Sequence, residues 1–368
     1  MASPFVYEEP VEPTALIDRI EELRALTDRA FDGRNTRLEG ARRFGKTSLL
    51  RAALDVVEKD GALPIEVNFL GCVSAADVAE RIERAYSAQL DSRLRRWFDG
   101  VSRTLQPTLS AAPAGIGLKA QPQISAPGLL DRLALPRRLH ERTGRMCVIA
   151  FDEFQEVLRI DPALPGVFRS ELETHASAAA YIFSGSNPGL MREMFSDRRH
   201  AFFAQAAPIE LAPLPPDALA DYITARFAER RRDPGEALGP LLDGAEGHPQ
   251  RAMLLAHHLY ERVAPGQSAD IETWTDALAG ARREAHGETQ ILWESSTELE
   301  RRVMKVIAQR TVALGSREAA VRFGLTRGGS TKAAVDRLVA DGHVVHDASM
   351  RTGWRIVDPF LGAWLRDQ

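Results

Sequence analysis

The sequence predicts an α/β protein. A doubly wound parallel sheet carries a phosphate-binding loop, and a helical lid and a C-terminal winged helix-turn-helix follow it. Three observations predict this. Residues 40–47 read Gly-Ala-Arg-Arg-Phe-Gly-Lys-Thr, a G-x-x-x-x-G-K-T pattern with a strand-like lead at 34–39 and an amphipathic helix at 48–57. Apolar strands alternate with helical segments up to about residue 211, and the run 146–151 is unbroken, as in a parallel strand covered on both faces. From residue 296 onward, three helices precede two short strands and a closing helix, the order of a winged helix.

The elements follow in order. Residues 1–14, acidic and proline-containing without periodicity, predict an extended arm. Residues 15–29 predict a helix with Leu16, Ile20, Leu23 and Leu26 on one stripe. After the loop and its helix, 64–70 is a strand and 74–98 one long helix, capped by Ser74 with Asp77 three residues on. Residues 100–127, rich in Ser, Ala, Pro and Gly, fit either a small hairpin or an insertion. Helix 126–143, strand 146–151, helix 164–176, and strands 179–184 and 207–211 complete a core spanning 15–214. Ligands of such a sheet lie at the carboxyl ends of its strands. Loop 40–47, Asp152-Glu153 and residues 184–187 all fall there. Helices at 216–231, 235–245, 249–263 and 273–293 form the lid, 215–295. The winged unit, 296–368, has helices at 298–309, 316–323 and 330–341, strands at 343–346 and 353–357, and a helix at 359–366.

Composition narrows the function classes. The 368 residues suffice for two or three cores, and 44% apolar with 27% charged residues is ordinary for a globular chain. A net charge of −4 excludes a polycation built to coat nucleic acid. Cys72 and Cys147 belong to no C-x-x-C pair or Cys/His cluster, so neither a zinc site nor a disulfide framework is expected. The first residues lack the basic start and apolar run of a secretory signal, and no run reaches about 18 apolar residues, so the expectation is a cytoplasmic chain without a membrane span.

The motifs carry specific chemistry. Gly40 and Gly45 permit backbone angles that turn successive N–H groups toward a phosphate, so that Gly40, Ala41, Arg42, Arg43, Phe44, Gly45, Lys46, Thr47 and Ser48 form a cradle at a helix N-terminus. Lys46 is placed to reach the β- and γ-phosphates, and the Thr47 hydroxyl to ligate Mg2+. Asp152 would hold the same ion through its water shell, and Glu153 would orient and polarise the attacking water. The plainer alternative is a pair of acids solvating a strand end. Of Ser184, Ser186 and Asn187, one polar side chain senses the γ-phosphate, or the segment is simply a turn. Arg251, after the Gly-His-Pro-Gln of 247–250, is either a lid contact to phosphate or a surface arginine. His248, His257 and His258 read as ordinary helix residues; Arg192, Arg198 and Arg199 are either charge stabilisers acting in trans or, more simply, a solvated basic loop. Residues 298–368 hold twelve Lys and Arg against eight Asp and Glu. Arg327, Lys332 and Arg337 on the recognition helix, with Arg351 and Arg355 on the wing, suit phosphate contacts to double-stranded DNA. Asp336 and Asp341 on that helix keep protein docking open as the other use.

The ordered motifs resemble a family. Phe-Val-Tyr (5–7) and Leu-Ile-Asp-Arg-Ile-Glu-Glu-Leu (16–23) precede Gly-Ala-Arg-Arg-Phe-Gly-Lys-Thr-Ser-Leu-Leu (40–50). Ile-Ala-Phe-Asp-Glu-Phe-Gln-Glu (149–156), Phe-Ser-Gly-Ser (183–186) and Val-Asp-Pro-Phe-Leu-Gly-Ala-Trp-Leu-Arg (357–366) follow. Together they resemble the archaeal-type ATPases, an AAA+/STAND-like branch of the P-loop NTPases related to the origin-recognition ATPases. That resemblance implies bound ATP or ADP with Mg2+, Asp18 and Arg19 near the adenine, Lys46 on the phosphates, Thr47 and Asp152 on the metal, Glu153 on the water, and Pro249 as a base or lid contact. Relatives often carry Phe-Tyr-Gly-Arg before the last sheet strand; here Phe202-Phe203-Ala204-Gln205 takes that place, so whether an arginine acts from a neighbouring subunit stays open, as does the oligomeric state. The expectation is a slow, Mg2+-dependent ATPase used as a switch. The alternatives are a DNA-binding regulator or loader whose nucleotide sets its shape, and a nucleotide-bound scaffold that docks a protein.

Overall fold

The computed structural model describes residues 3–105, 126–325 and 328–367. Strands β1 (Thr36–Glu39), β2 (Leu63–Asn68), β3 (Cys147–Asp152), β4 (Ala179–Ser184) and β5 (Ala207–Glu210) form one parallel sheet in the order 2-3-4-1-5. Every residue of β3 and β4 is buried. Their side chains split by the period of two. Val148, Ala150, Ala180 and Ile182 face one layer, while Ile149, Phe151, Tyr181 and Phe183 face the other.

The first layer holds α1 (Ile20–Phe31) and α2 (Lys46–Lys59), packed through Leu26, Leu49, Leu50 and Val57. The second holds α3 (Ala75–Gln89), α4 (Ser92–Leu105), α5 (Ala126–Leu133), α6 (Leu135–Thr143), α7 (Gln155–Ile160), α8 (Leu164–Leu172) and α9 (Pro188–Ser196). Its centre is aromatic: Phe151 stacks on Phe154 with centroids 5.7 Å apart, and Phe168 meets both edge-on. Because β4 lies between β1 and β3, the turns leaving all three strands emerge side by side at one edge.

The lid consists of α10 (Pro216–Ala228), α11 (Leu238–Ala245), α12 (Pro249–Arg262) and α13 (Ile271–Ser295), around Ile223, Phe227, Leu255 and Leu259. The winged unit contains α14 (Glu298–Ala308), α15 (Arg317–Phe323), α16 (Gly329–Ala340), β6 (Val344–His346), β7 (Trp354–Ile356) and α17 (Pro359–Arg366). A capping box between Thr297 and Glu300 starts α14, and β6 and β7 pair antiparallel as the wing. Residues 357–360 tie everything together. Val357 joins the sheet's apolar cluster, Phe360 joins the lid's, and between them Asp358 caps α17 by accepting from the Phe360 N–H at 2.9 Å.

Several sequence expectations are corrected. The single helix 74–98 is two: Leu90 is extended, and Asp91 Oδ1 accepts from the Arg93 and Leu94 N–H groups, starting α4 anew. Helix α4 then runs through Gly100 to Leu105, so the segment 100–127 begins as helix; residues 106–125, where the hairpin-or-insertion question falls, lie outside the described residues. Helix 126–143 is interrupted at Ala134, with Pro136 opening α6. The first helix starts at Ile20, not residue 15, because Leu16 is extended and Asp18 has φ 42°; Ile20 itself is 70% exposed and off the core stripe. Helix α8 stops at Leu172, and α7, a single short run after Glu153, has no counterpart in the sequence reading. The arm is not free. Phe5 is buried in the lid core against Phe227 and Tyr260, at 5.5 and 5.8 Å, and the Val11 N–H donates to Ser48 Oγ.

Candidate functional site

The loop from β1 to α2 has the backbone its sequence calls for. Gly45 sits at φ 84° and Gly40 at φ 154°, where an added Cβ would lie 3.1 Å from Leu211 Cβ. Arg43 holds φ 67° without being glycine, a cost that the rigid turn around it sustains. The Lys46 ammonium, only 6% exposed, folds back onto the Gly40 and Ala41 carbonyls at 2.9 and 2.8 Å. Burial pushes its pKa down to about 8, against the opposing pull of Glu153 and Asp152.

Asp152, at the buried end of β3, accepts from Thr47 Oγ1 at 3.0 Å and from Asn68 Nδ2 at 3.3 Å on the same oxygen. Its other oxygen takes the Glu153 N–H. Thr47 and Asp152 thus form one hard-oxygen pair beside the loop, which fits a Mg2+ ion. Glu153 has φ 53°, and its Oε2 accepts from Ser186 Oγ at 2.7 Å and Gln155 Nε2 at 2.5 Å.

A cleft of about 880 Å³ joins these groups, of the size small-molecule sites occupy. Phe44, Lys46, Thr47, Asp152, Glu153 and Ser186 line it from the sheet, Pro249 and Arg251 from the lid, and His343 and Asp358 from the winged unit. Arg251 is 3% exposed and bidentate to Asp358, at 3.1 and 2.6 Å, and also reaches Glu288 at 3.2 Å. Arg43 grips Glu288 bidentately at 2.5 Å, which draws that carboxyl below its usual range. Burial acts to raise the Asp358 carboxyl, but the Arg251 guanidinium outweighs it and leaves the group below the ordinary carboxylate range.

The Aeropyrum pernix ORC2 protein in its ADPNP–ADP complexes superposes with a TM-score of 0.62 at 16% identity, over 99% of this chain and 96% of that one. The same protein in its ADP form gives 0.55 at 15% identity, over 99% of both chains. The chain has the fold of the origin-recognition AAA+ ATPases. No family model and no curated protein matches the sequence, so the likeness is one of fold.

The individual residues divide. Ser184 is fully buried at the end of β4 with no partner for its Oγ, and it does not line the cleft; Ser186, two residues on, touches Glu153 instead. Asn187 caps α9 by accepting from the Leu190 N–H. Asp18 is exposed and off the cleft, whereas Arg19 lines it and donates to the Ala212 carbonyl at 2.6 Å. The surface alternative for Arg251 is overturned by its burial. His248 is no ordinary helix residue: it caps α12 by accepting from the Arg251 N–H, packs on Phe44 at 5.0 Å, and burial pushes its pKa down to about 4. Arg327 lies outside the described residues. Lys332 pairs with Asp336, Arg337 with Glu300 and Arg355 with Asp347. Asn68, Glu288 and Asp358 carry site contacts that the motif reading missed. Asn68 had a signal, a polar residue ending a strand in register with Asp152; Glu288, a charged residue in the middle of a helix, had none. Among the described residues, no helix is long and apolar enough to cross a membrane.

Proposed function

We propose that this chain binds ATP with Mg2+ and hydrolyses it slowly, as a nucleotide-controlled switch. The observation that carries the reading is the convergence of Lys46, the Thr47–Asp152 pair and Glu153 in one cleft roofed by the lid and the winged unit. Lys46 exchanges two backbone carbonyls for the β- and γ-phosphates, with the loop N–H groups and the N-terminus of α2 adding positive potential. Thr47 and Asp152 would hold Mg2+, which neutralises charge on the phosphates when bound. Glu153, oriented by Ser186 and Gln155, accepts the proton of the attacking water. Gln205, half-buried in the loop before β5, supplies no cation in trans, in keeping with slow turnover.

Phosphate release and nucleotide binding test this. Lys46→Ala abolishes binding, and Glu153→Gln keeps binding while lowering turnover about 100-fold or more. Unchanged phosphate release by Glu153→Gln would remove the general-base assignment. Duplex DNA binding through the winged unit is a second reading, supported by the exposed Lys332, Arg337 and Arg351 on one small domain. It ranks second because Lys332 and Arg337 already have acidic partners.

A further inference from the structure

Four charged side chains from four elements form one chain across the cleft. Arg43 of the loop pairs with Glu288 of α13, Glu288 with Arg251 of α12, and Arg251 with Asp358 at the N-cap of α17. All four line the cleft that holds Lys46 and Thr47. We propose that Asp358 and Glu288 form a carboxylate latch that holds Arg251 and Arg43 until the terminal phosphate of a nucleoside triphosphate takes these guanidinium groups, which releases the winged unit. The inference rests on the nucleotide reading above.

Three features support it. A guanidinium fork binds a carboxylate and a phosphate through the same two parallel N–H donors, so a bidentate carboxylate facing a phosphate cleft is a competitor for the phosphate. The two ends of the chain also differ in strength. The Arg251 side chain is 3% exposed and Asp358 25%, whereas Arg43 and Glu288 are 35% and 47% exposed. The buried end therefore holds the latch, and the exposed end, screened by solvent, tunes it.

Position supplies the third. Asp358 lies between Val357 in the sheet's cluster and Phe360 in the lid's, and it starts α17. Once Arg251 turns to phosphate, a largely buried carboxylate is left without its counter-charge at the joint of all three units. The joint relaxes by moving Asp358 toward water, and α17 goes with it. A diphosphate, one phosphoryl group shorter, leaves the latch shut.

The test compares dissociation constants for ADP and for a non-hydrolysable ATP analogue (adenylyl imidodiphosphate), each with Mg2+, in full-length protein. Asp358→Asn keeps an oxygen for the Phe360 N–H but removes the charge; Glu288→Gln does the same at the weaker end. Asp358→Asn is expected to tighten the triphosphate analogue about tenfold while changing ADP less than about twofold, a coupling of ordinary size. In an Arg251→Ala background the Asp358→Asn effect disappears. Trp293 of α13 and Trp364 of α17 meet edge-on at 5.4 Å, so their emission reports whether the winged unit is seated. It should change with the triphosphate analogue in the wild type, and without nucleotide in Asp358→Asn. Trp364→Phe assigns the signal. Weaker binding of both nucleotides by Asp358→Asn would mark a purely structural ion pair and overturn the latch. So would a wild type that binds both nucleotides but whose triphosphate preference neither carboxylate change moves. A wild type that binds neither nucleotide would overturn the proposed function and the latch together.

Discussion

Lys46→Met should make the nucleotide-free protein more stable at neutral pH while destroying its phosphate site. Lys46 is almost fully buried, and its pKa falls from 10.5 to about 8 because burial disfavours the charged form. That gap corresponds to about 3 kcal/mol of stability forgone at pH 7, where the folded chain must carry the buried charge. Methionine has similar length and no charge, but it leaves the Gly40 and Ala41 carbonyls without their donor, at about 1 kcal/mol each. The balance is a gain of about 1 kcal/mol, or a rise in Tm of roughly 2–4 °C for a unit of this size.

The pH dependence separates this account from a general packing effect. Between pH 8 and 10.5 the unfolded chain binds more protons at Lys46 than the folded chain, so wild-type stability rises with pH through that window. The variant has no such slope. Its advantage must shrink above pH 8 and reverse before about 10.5, when only the lost hydrogen bonds remain. Thermal or urea unfolding at pH 7, 8, 9 and 10 measures it. A difference constant across that range, or one that grows with pH, refutes the reasoning. The same protonation equilibrium predicts proton uptake on nucleotide binding near pH 8.5, visible as a calorimetric heat that depends on the buffer's ionisation enthalpy, and none near pH 6.5.

Other expectations are local. Gly189→Ala places a Cβ 2.4 Å from Ala340 Cβ and 2.6 Å from its Cα, so it should lift α16 off α9 and alter tryptophan emission without touching the loop. Gly185→Ala meets Gln155 Oε1 at 2.2 Å and Met191 Sδ at 2.7 Å; it should cost about 1–3 kcal/mol in urea unfolding and lower turnover, since Gln155 orients Glu153. Lys332→Ala with Arg337→Ala should weaken duplex binding and flatten its dependence on salt if the winged unit grips DNA; affinity unmoved by both removes that reading.

The sheet was legible because its strands obey strong rules. Residues 146–151 are apolar throughout and 179–183 carry only one hydroxyl, on Tyr181, the pattern of a parallel strand buried on both faces. The phosphate loop was legible because glycine and lysine at fixed spacing have few other uses. The misreadings share a cause. Asp91, Asp18 and Ala134 interrupt segments whose composition favours helix, and each break depends on a local hydrogen bond or a turn that periodicity does not encode. Ser184 and Ser186 were indistinguishable by pattern, since a shift of two residues past the end of β4 decides between a buried hydroxyl and one aimed at Glu153.

The latch was illegible for a deeper reason. Arg43, Arg251, Glu288 and Asp358 are 37 to 245 residues apart along the partnered pairs, and although Arg43 and Arg251 read as phosphate contacts and Asp358 falls in a motif, nothing in the sequence pairs them with one another. Only the folding of α13 along the cleft and the return of residues 357–360 to the joint bring the four together. A charge that sits at a junction of three packed units cannot move without moving one of them, because packed interfaces switch between arrangements and do not deform smoothly. The joint thus converts a contest between carboxylate and phosphate for one guanidinium into a change in how the winged unit sits. If Asp358→Asn and bound triphosphate produce the same tryptophan signal, that conversion is the switch.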